Sequence, residues 1–315
     1  MGFETLLGNE RLKDNLKNSL ARGRISHFYL ISGPEGSGKH TLARLVSAAI
    51  LCSDPQRPCG RCSACRKVLE NTHPDVITVE DPDHKTTPVR LVRQYREDVF
   101  IRPNESDHKI YIFPQELGIE GQNALLKILE EPPAYGVFIL LTDNPDKLLP
   151  TVRSRCTELP MQALPAKTLR TALLRDFPKA SAEDIDAAVF RSGGWLGRAR
   201  QQLEEGTSQP PQTEGFVRSF SARDALGLAQ VLAPMEKMKR DALCPILSSW
   251  IELLDQALAC RSGLTAVSAA ARTISAARTS QELMAAVASL KKALTYAQGN
   301  VSPAAVCGWL LWELR

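Results

Sequence analysis

The chain has 315 residues, 43% hydrophobic and 23% charged, the balance of a globular protein able to bury its own core and not of a disordered one. Its net charge of +4, from 39 basic and 35 acidic residues, excludes a polyacidic tail and a histone-like basic coat, and 6% aromatic content argues against an RNA-stacking sheet. No stretch near eighteen apolar residues is free of charge, and residues 1–12 carry Glu4, Glu10 and Arg11, so no membrane span or secretion signal is expected and the eight cysteines are read as cytoplasmic thiols.

The first clear element is a short apolar strand, His27 to Ser32. It runs into Gly33-Pro-Glu-Gly-Ser-Gly-Lys39, and helical periodicity follows to Leu51 through Leu42, Leu45, Val46 and Ala49. Strand, glycine loop and helix in this order are the context of a phosphate loop. Gly33, Gly36 and Gly38 let backbone N–H groups wrap an anion at the helix N-terminus, and Lys39 would reach the outer phosphates. The plainer alternative is a glycine-rich turn. The next residue is His40, where the motif has a Ser or Thr hydroxyl for Mg²⁺. Imidazole is a poor Mg²⁺ ligand, and Thr41 lies about 100° further round the helix. Binding of ATP or ADP therefore stays open, and Mg²⁺ is not expected at this site.

Cys52, Cys59, Cys62 and Cys65 come next, spaced by turn-forming Pro55, Pro58 and Gly60. Four thiolates at this spacing suit a tetrahedral structural Zn²⁺ with no open position for catalysis. Free or redox-active thiols and an iron–sulfur cluster are the alternatives. Cys156, Cys244, Cys260 and Cys307 are scattered among apolar residues and read as packing.

A strand is expected over Val76–Val79, an amphipathic helix over Val89–Val99 and a strand over Lys109–Phe113. An ATP-hydrolysing site needs Asp-Glu after that last strand; here Pro114-Gln115-Glu116 follows, with Glu116 either a displaced acid or a solvated carboxylate. A helix over Gln122–Glu131 is stopped by Pro132 and Pro133, and Val137–Thr142 reads as a buried strand. Alternation of this kind implies an α/β fold with a parallel sheet covered on both faces. From Pro165 strand signals cease. Residues 165–204 carry three short helical patterns, 205–215 read as a Gly/Pro/Ser/Thr linker, and 216–315 as Ala- and Leu-rich helices broken at Pro234, Pro245 and Pro303. The expected division is 1–163, with the cysteine module at about 52–70, then 164–206 and 207–315.

The phosphate loop, the four-cysteine insertion, Asn123 to Pro133 and Ser154-Arg155-Cys156 occur in this order in bacterial clamp-loader subunits of DNA polymerase III, members of the AAA+ family. The sequence resembles them over about residues 5–200. The resemblance implies an AAA+ core, a helical lid and a helical collar that joins five subunits in a ring. It implies gamma/tau and delta subunits, a sliding clamp and primer–template DNA as partners. The gamma/tau class keeps Lys-Ser/Thr and Asp-Glu; the delta-prime class has a degraded site, which this sequence resembles. By the same resemblance Arg155 matches an arginine finger inserted into a neighbour's ATP site, Asp143 a first-sensor position where Asn or Thr is usual and an acid would repel a γ-phosphate, and Gly197-Arg198 a second sensor; the plainer reading of Arg155 is a helix-end surface arginine, of which Arg153 is an example. No ATPase activity of the chain alone is expected. A gamma/tau-type ATPase and a zinc-module nucleic-acid-binding protein remain as alternatives.

Overall fold

The computed structural model describes residues 2–204, 210–263, 268–299 and 301–314. These fall into two compact units, one of Met1–Thr168 with Trp195–Arg198, the other of Leu169–Gly194 with Ala199–Arg315.

In the first unit α1 (Glu10–Ala21) precedes β1 (Phe28–Ser32), and the glycine loop leads into α2 (Lys39–Leu51). Then come α3 (Ser63–Leu69), β2 (Val76–Thr78), β3 (Thr86–Thr87) and α4 (Val89–Asp98). They are followed by β4 (Lys109–Phe113), β5 (Glu116–Leu117), α5 (Ile119–Glu130) and β6 (Gly136–Thr142). A single-turn helix α6 (Pro150–Arg153) and β7 (Thr157–Pro160) complete the sheet.

Five strands pair in the order β2-β4-β6-β1-β7, all parallel, and β3 pairs with β5 in a separate two-stranded ribbon. Because successive side chains of a strand point to opposite faces, each central strand feeds two cores. Tyr29, Ile31, Ile110, Ile112, Ile139 and Leu141 face α1 and α2 with Leu16, Leu42 and Val46. Phe28, Leu30, Tyr111, Phe113, Phe138 and Leu140 face α4 and α5 with Val92, Leu125 and Ile128. The Phe28 and Phe138 rings stack at 4.7 Å across β1 and β6. Strands covered on both faces read as continuous apolar runs, which is why β1, β4 and β6 were visible in the sequence. The expected alternation is thus an α/β fold. β7 was not expected: of Thr157-Glu158-Leu159-Pro160 only Leu159 is buried, and the segment is a strand because β1 offers it an edge.

The second unit is helical: α7 (Ala166–Asp176, its first three residues in the first unit), α8 (Ala182–Arg191), α9 (Leu196–Glu204), α10 (Pro211–Ala222), α11 (Ala225–Met235), α12 (Arg240–Arg261), α13 (Ala269–Ala277), α14 (Ser280–Gln298) and α15 (Pro303–Leu314). Residues Leu196–Arg198 of α9 also belong to the first unit. Phe216, Trp250, Leu247, Leu254, Leu290 and Leu310 centre its core, with the Phe216 and Trp250 rings stacked at 4.2 Å.

Two expectations change here. Pro234 and Pro245 do not end helices but lie inside α11 and α12. Pro245 removes one backbone bond from a helix of 22 residues, and burial of Leu243, Leu247, Trp250 and Leu254 on its inner face outweighs that loss. The linker expected over 205–215 is shortened: 205–209 lie outside the described residues, and Pro211 opens α10 at its first position, where a missing N–H costs nothing. Within α12, Ala242–Arg261 is long and apolar enough to cross a membrane by length and composition, but half of it is buried in this core.

Candidate functional site: a phosphate loop and a cysteine cluster

The glycine loop connects the C-terminal end of β1 to α2. Gly36 and Gly38 have φ of +74° and +92°, left-handed conformations that favour glycine. Gly36 is also pressed against a second chain segment. The Gly197 N–H donates to the Gly36 carbonyl at 2.9 Å, and a Cβ on Gly36 would lie 2.5 Å from the Arg198 amide nitrogen. Arg198 therefore meets the loop through its backbone nitrogen and its Cγ, while the residue as a whole is exposed. At the base of the loop the Gly33 N–H donates to Thr142 O at 3.1 Å, tying it to the end of β6.

Lys39 is buried, and its ammonium donates to the Gly33 carbonyl and to the carboxylate of Asp143, the residue just past β6. The buried Ser37 Oγ has no hydrogen-bond partner among the described residues. The backbone cradle for a phosphate is thus present, but its lysine is already paired.

The metal-binding half is not. His40 lines a cavity of about 360 Å³ with Arg44, His73, Glu80 and Pro114. Desolvation, with the cations Lys39 and Arg44 nearby, pushes its imidazole pKa below the usual value. Pro114 stands where a metal-binding carboxylate would follow β4. Gln115 is a structural clip: it accepts the Asp81 N–H at 2.9 Å and donates to the carbonyls of Asp81 and His84 at 2.8 and 2.5 Å. Glu116 is in β5 and paired with Lys147 at 2.8 Å, so it is neither a free acid nor a simply solvated one. A nucleotide–Mg²⁺ pair does not fit these residues.

The four cysteines do come together. Cys52 caps α2, Cys62 caps α3, and Cys65 lies within α3. All four Sγ atoms lie within 4.8 Å of one another, near the roughly 3.8 Å spacing of thiolates about 2.3 Å from a tetrahedral Zn²⁺. Backbone N–H groups of Cys62 and Cys65 point at the Sγ atoms of Cys59 and Cys62 at 3.4 Å. N–H groups of Arg61 and Cys62 lower the Cys59 thiol to about 6, while burial pushes Cys52 and Cys65 up. A four-thiol set of this geometry can hold a structural metal and leaves no position open for chemistry.

Ser154-Arg155-Cys156 follows α6. Arg153 is held by two carboxylates, Glu158 at 2.6 Å and Asp146 at 2.9 Å. Arg155 is exposed; it donates to Thr151 O at 2.9 Å and meets Glu130, at the end of α5, at 3.4 Å. Cys156 is half-buried, and burial pushes its thiol up to about 12, so it is inert packing.

Two residues of this region went unnoticed in the sequence. Gln122 of α5 is buried; it donates to Leu117 O and Lys147 O at 2.9 and 3.2 Å and accepts the Leu149 N–H at 2.6 Å, anchoring the segment that begins α6. Its signal was a polar residue on the helix face of Leu125 and Leu129. Asp75 is fully buried and accepts N–H groups of Asn104, Glu105 and Ser106 at 2.5–3.0 Å. Burial pushes its carboxyl pKa up, but those donors outweigh it and leave the pKa low.

A strand order with β1 between β6 and β7, and a glycine loop between β1 and α2, define an α/β phosphate-loop fold with a parallel sheet. The family described as "DNA polymerase III, delta subunit" matches residues 8–165, and the chain belongs to it. DNA polymerase III subunit gamma/tau of Mycobacterium tuberculosis is 35% identical over 199 residues, 61% of this chain and 34% of that protein. Subunit tau of Bacillus subtilis is 34% identical over 171 residues, 53% of this chain and 30% of that protein. The chain spans about a third of the length of these relatives. A gamma subunit-related protein of DNA polymerase III from Thermotoga maritima aligns in structure over 96% of this chain and 98% of its own, with 17% identity and a TM-score of 0.46.

Proposed function

We propose that this chain is the non-hydrolysing, delta-prime-type subunit of a bacterial DNA polymerase III clamp loader. In this reading it is the rigid stator of a five-membered ring with gamma/tau and delta subunits. Residues 1–163 are its nucleotide-binding-like core, 164–206 its lid and 207–315 the collar that holds the ring. The partners are those subunits, the sliding clamp and, through the complex, primer–template DNA, met at backbone phosphates that carry no sequence information.

The observation that carries the reading is the crippled metal half of the site: His40 and Pro114 stand at two ligand positions within a chain of the DNA polymerase III family. Loss of both positions with the fold kept suits a subunit that supports catalysis elsewhere. Arg155 supplies what it contributes. Its guanidinium is always charged, forks two phosphate oxygens, and is less firmly held than Arg153. Presented in trans, it would stabilise charge developing on the γ-phosphate in a neighbouring gamma/tau site. Cys52, Cys59, Cys62 and Cys65 would hold a structural Zn²⁺ that orders residues 52–69.

A second reading, an active gamma/tau-type ATPase, is favoured by the identity of the relatives that match at 34–35%. The two separate on one assay. The chain alone, with Mg²⁺ and primed DNA, shows no turnover in the first reading. In the second it turns over ATP, and Lys39→Ala abolishes that turnover.

A further inference from the structure

We infer that Asp143 is a built-in substitute for a bound phosphate: its carboxylate satisfies Lys39 and keeps the loop from taking a nucleotide. The inference rests on reading the chain as a non-hydrolysing subunit and gives that reading a physical cause.

Ser32 of β1 pairs in register with Thr142 of β6, so Gly33 and Asp143 leave the sheet side by side at its C-terminal edge. In open α/β sheets that edge is where ligands bind. Lys39 turns into it rather than outward: its side chain is 8% exposed, against 58% for the Asp143 side chain that it pairs with. A buried ammonium needs an anion or several acceptors, and here it has the Asp143 carboxylate together with the Gly33 carbonyl. An incoming phosphate would have to displace Asp143 and then face its negative charge at close range. The loop also needs no ligand to hold its shape. Gly33 is tied to Thr142, and Gly36 to Gly197. What the cradle retains is the glycine backbone and the unpartnered Ser37 hydroxyl, a donor suited to an anionic oxygen. Removing one negative charge should therefore reopen a site that is otherwise built.

The test is equilibrium binding of ADP and of inorganic tripolyphosphate to the full chain, without Mg²⁺ and without chelator. Wild type is expected to show no saturable binding up to millimolar ligand. Asp143→Asn keeps the size and one acceptor but removes the charge, and is expected to bind both ligands saturably, at least about tenfold tighter than the millimolar limit set for wild type. The double variant Asp143→Asn with Lys39→Met is expected to lose that gain. Equal affinity of wild type and Asp143→Asn, or a gain that survives in the double variant, overturns the inference. Should Asp143→Asn not fold, the Lys39 ammonium resonance of the wild type, assigned with Lys39→Met, decides: no shift with millimolar tripolyphosphate supports the inference, and a saturable shift overturns it. ATP turnover by the wild-type chain alone would instead defeat the non-hydrolysing reading.

Discussion

Gln122→Ala should loosen the segment that carries Arg155 without touching Arg155 itself. Gln122 makes three hydrogen bonds from a buried position: two to carbonyls at Leu117 and Lys147, and one from the Leu149 N–H. At about 0.5–1.5 kcal/mol net for each bond, less some rescue by water at the more exposed Lys147, the loss is roughly 1–4 kcal/mol. For a unit of this size that lowers the melting temperature by roughly 2–16 °C. The damage should be local first. The Val152 and Arg153 amides bond to Leu149 O at 2.9 and 3.0 Å, so their hydrogen exchange should speed up before that of β4 or β6. Gln122→Glu adds a sign test. A carboxylate there faces two carbonyls, so its folded-state pKa is raised above the unfolded value. Stability is then present below about pH 4 and lost as pH rises through the raised pKa. A Gln122→Ala chain with unchanged melting and unchanged exchange at Val152 would refute the anchoring argument.

Two further predictions concern the cysteine module and the buried carboxylate of Asp75. The purified chain should carry one tightly held Zn²⁺, and Cys62→Ser should abolish it and open residues 52–69 to protease while the sheet stays folded; a full complement of zinc in Cys62→Ser would contradict the four-thiolate site. Asp75 has a lowered folded-state pKa, so its contribution is complete above the ordinary carboxylate value of about 4 and disappears as pH falls through the folded value. The protection factors of the Asn104–Ser106 amides, taken against the intrinsic exchange rate at each pH, should fall on acidification in wild type and be low at every pH in Asp75→Ala; protection of those amides in the variant would exclude the role.

What the sequence disclosed and what it hid differ in range. The phosphate loop and the cysteine cluster are local patterns, seven and fourteen residues long, so composition and spacing sufficed. Strands β1, β4 and β6 were legible because both faces are buried and the runs are apolar throughout. Asp143 lies 104 residues from Lys39, and only the parallel pairing of β1 with β6 brings them together. Its place in the sequence suggested repulsion of a phosphate but not the pairing that replaces one. Gln115 and Gln122 carry no charge and no motif; their importance comes from backbone groups of distant loops that they satisfy. Pro245 misled because local propensity marks it a breaker, while the buried face of α12 holds the helix together around it.

Reconstitution of the ring with gamma/tau and delta subunits tests the central claim most directly. With the wild-type chain the complex should hydrolyse ATP in response to primed DNA and clamp, although the chain alone does not. With Arg155→Ala, assembly should be intact and turnover should fall by up to about 10³–10⁵-fold for the site that Arg155 completes. Unchanged ATPase and clamp loading by an assembled Arg155→Ala complex would contradict the account.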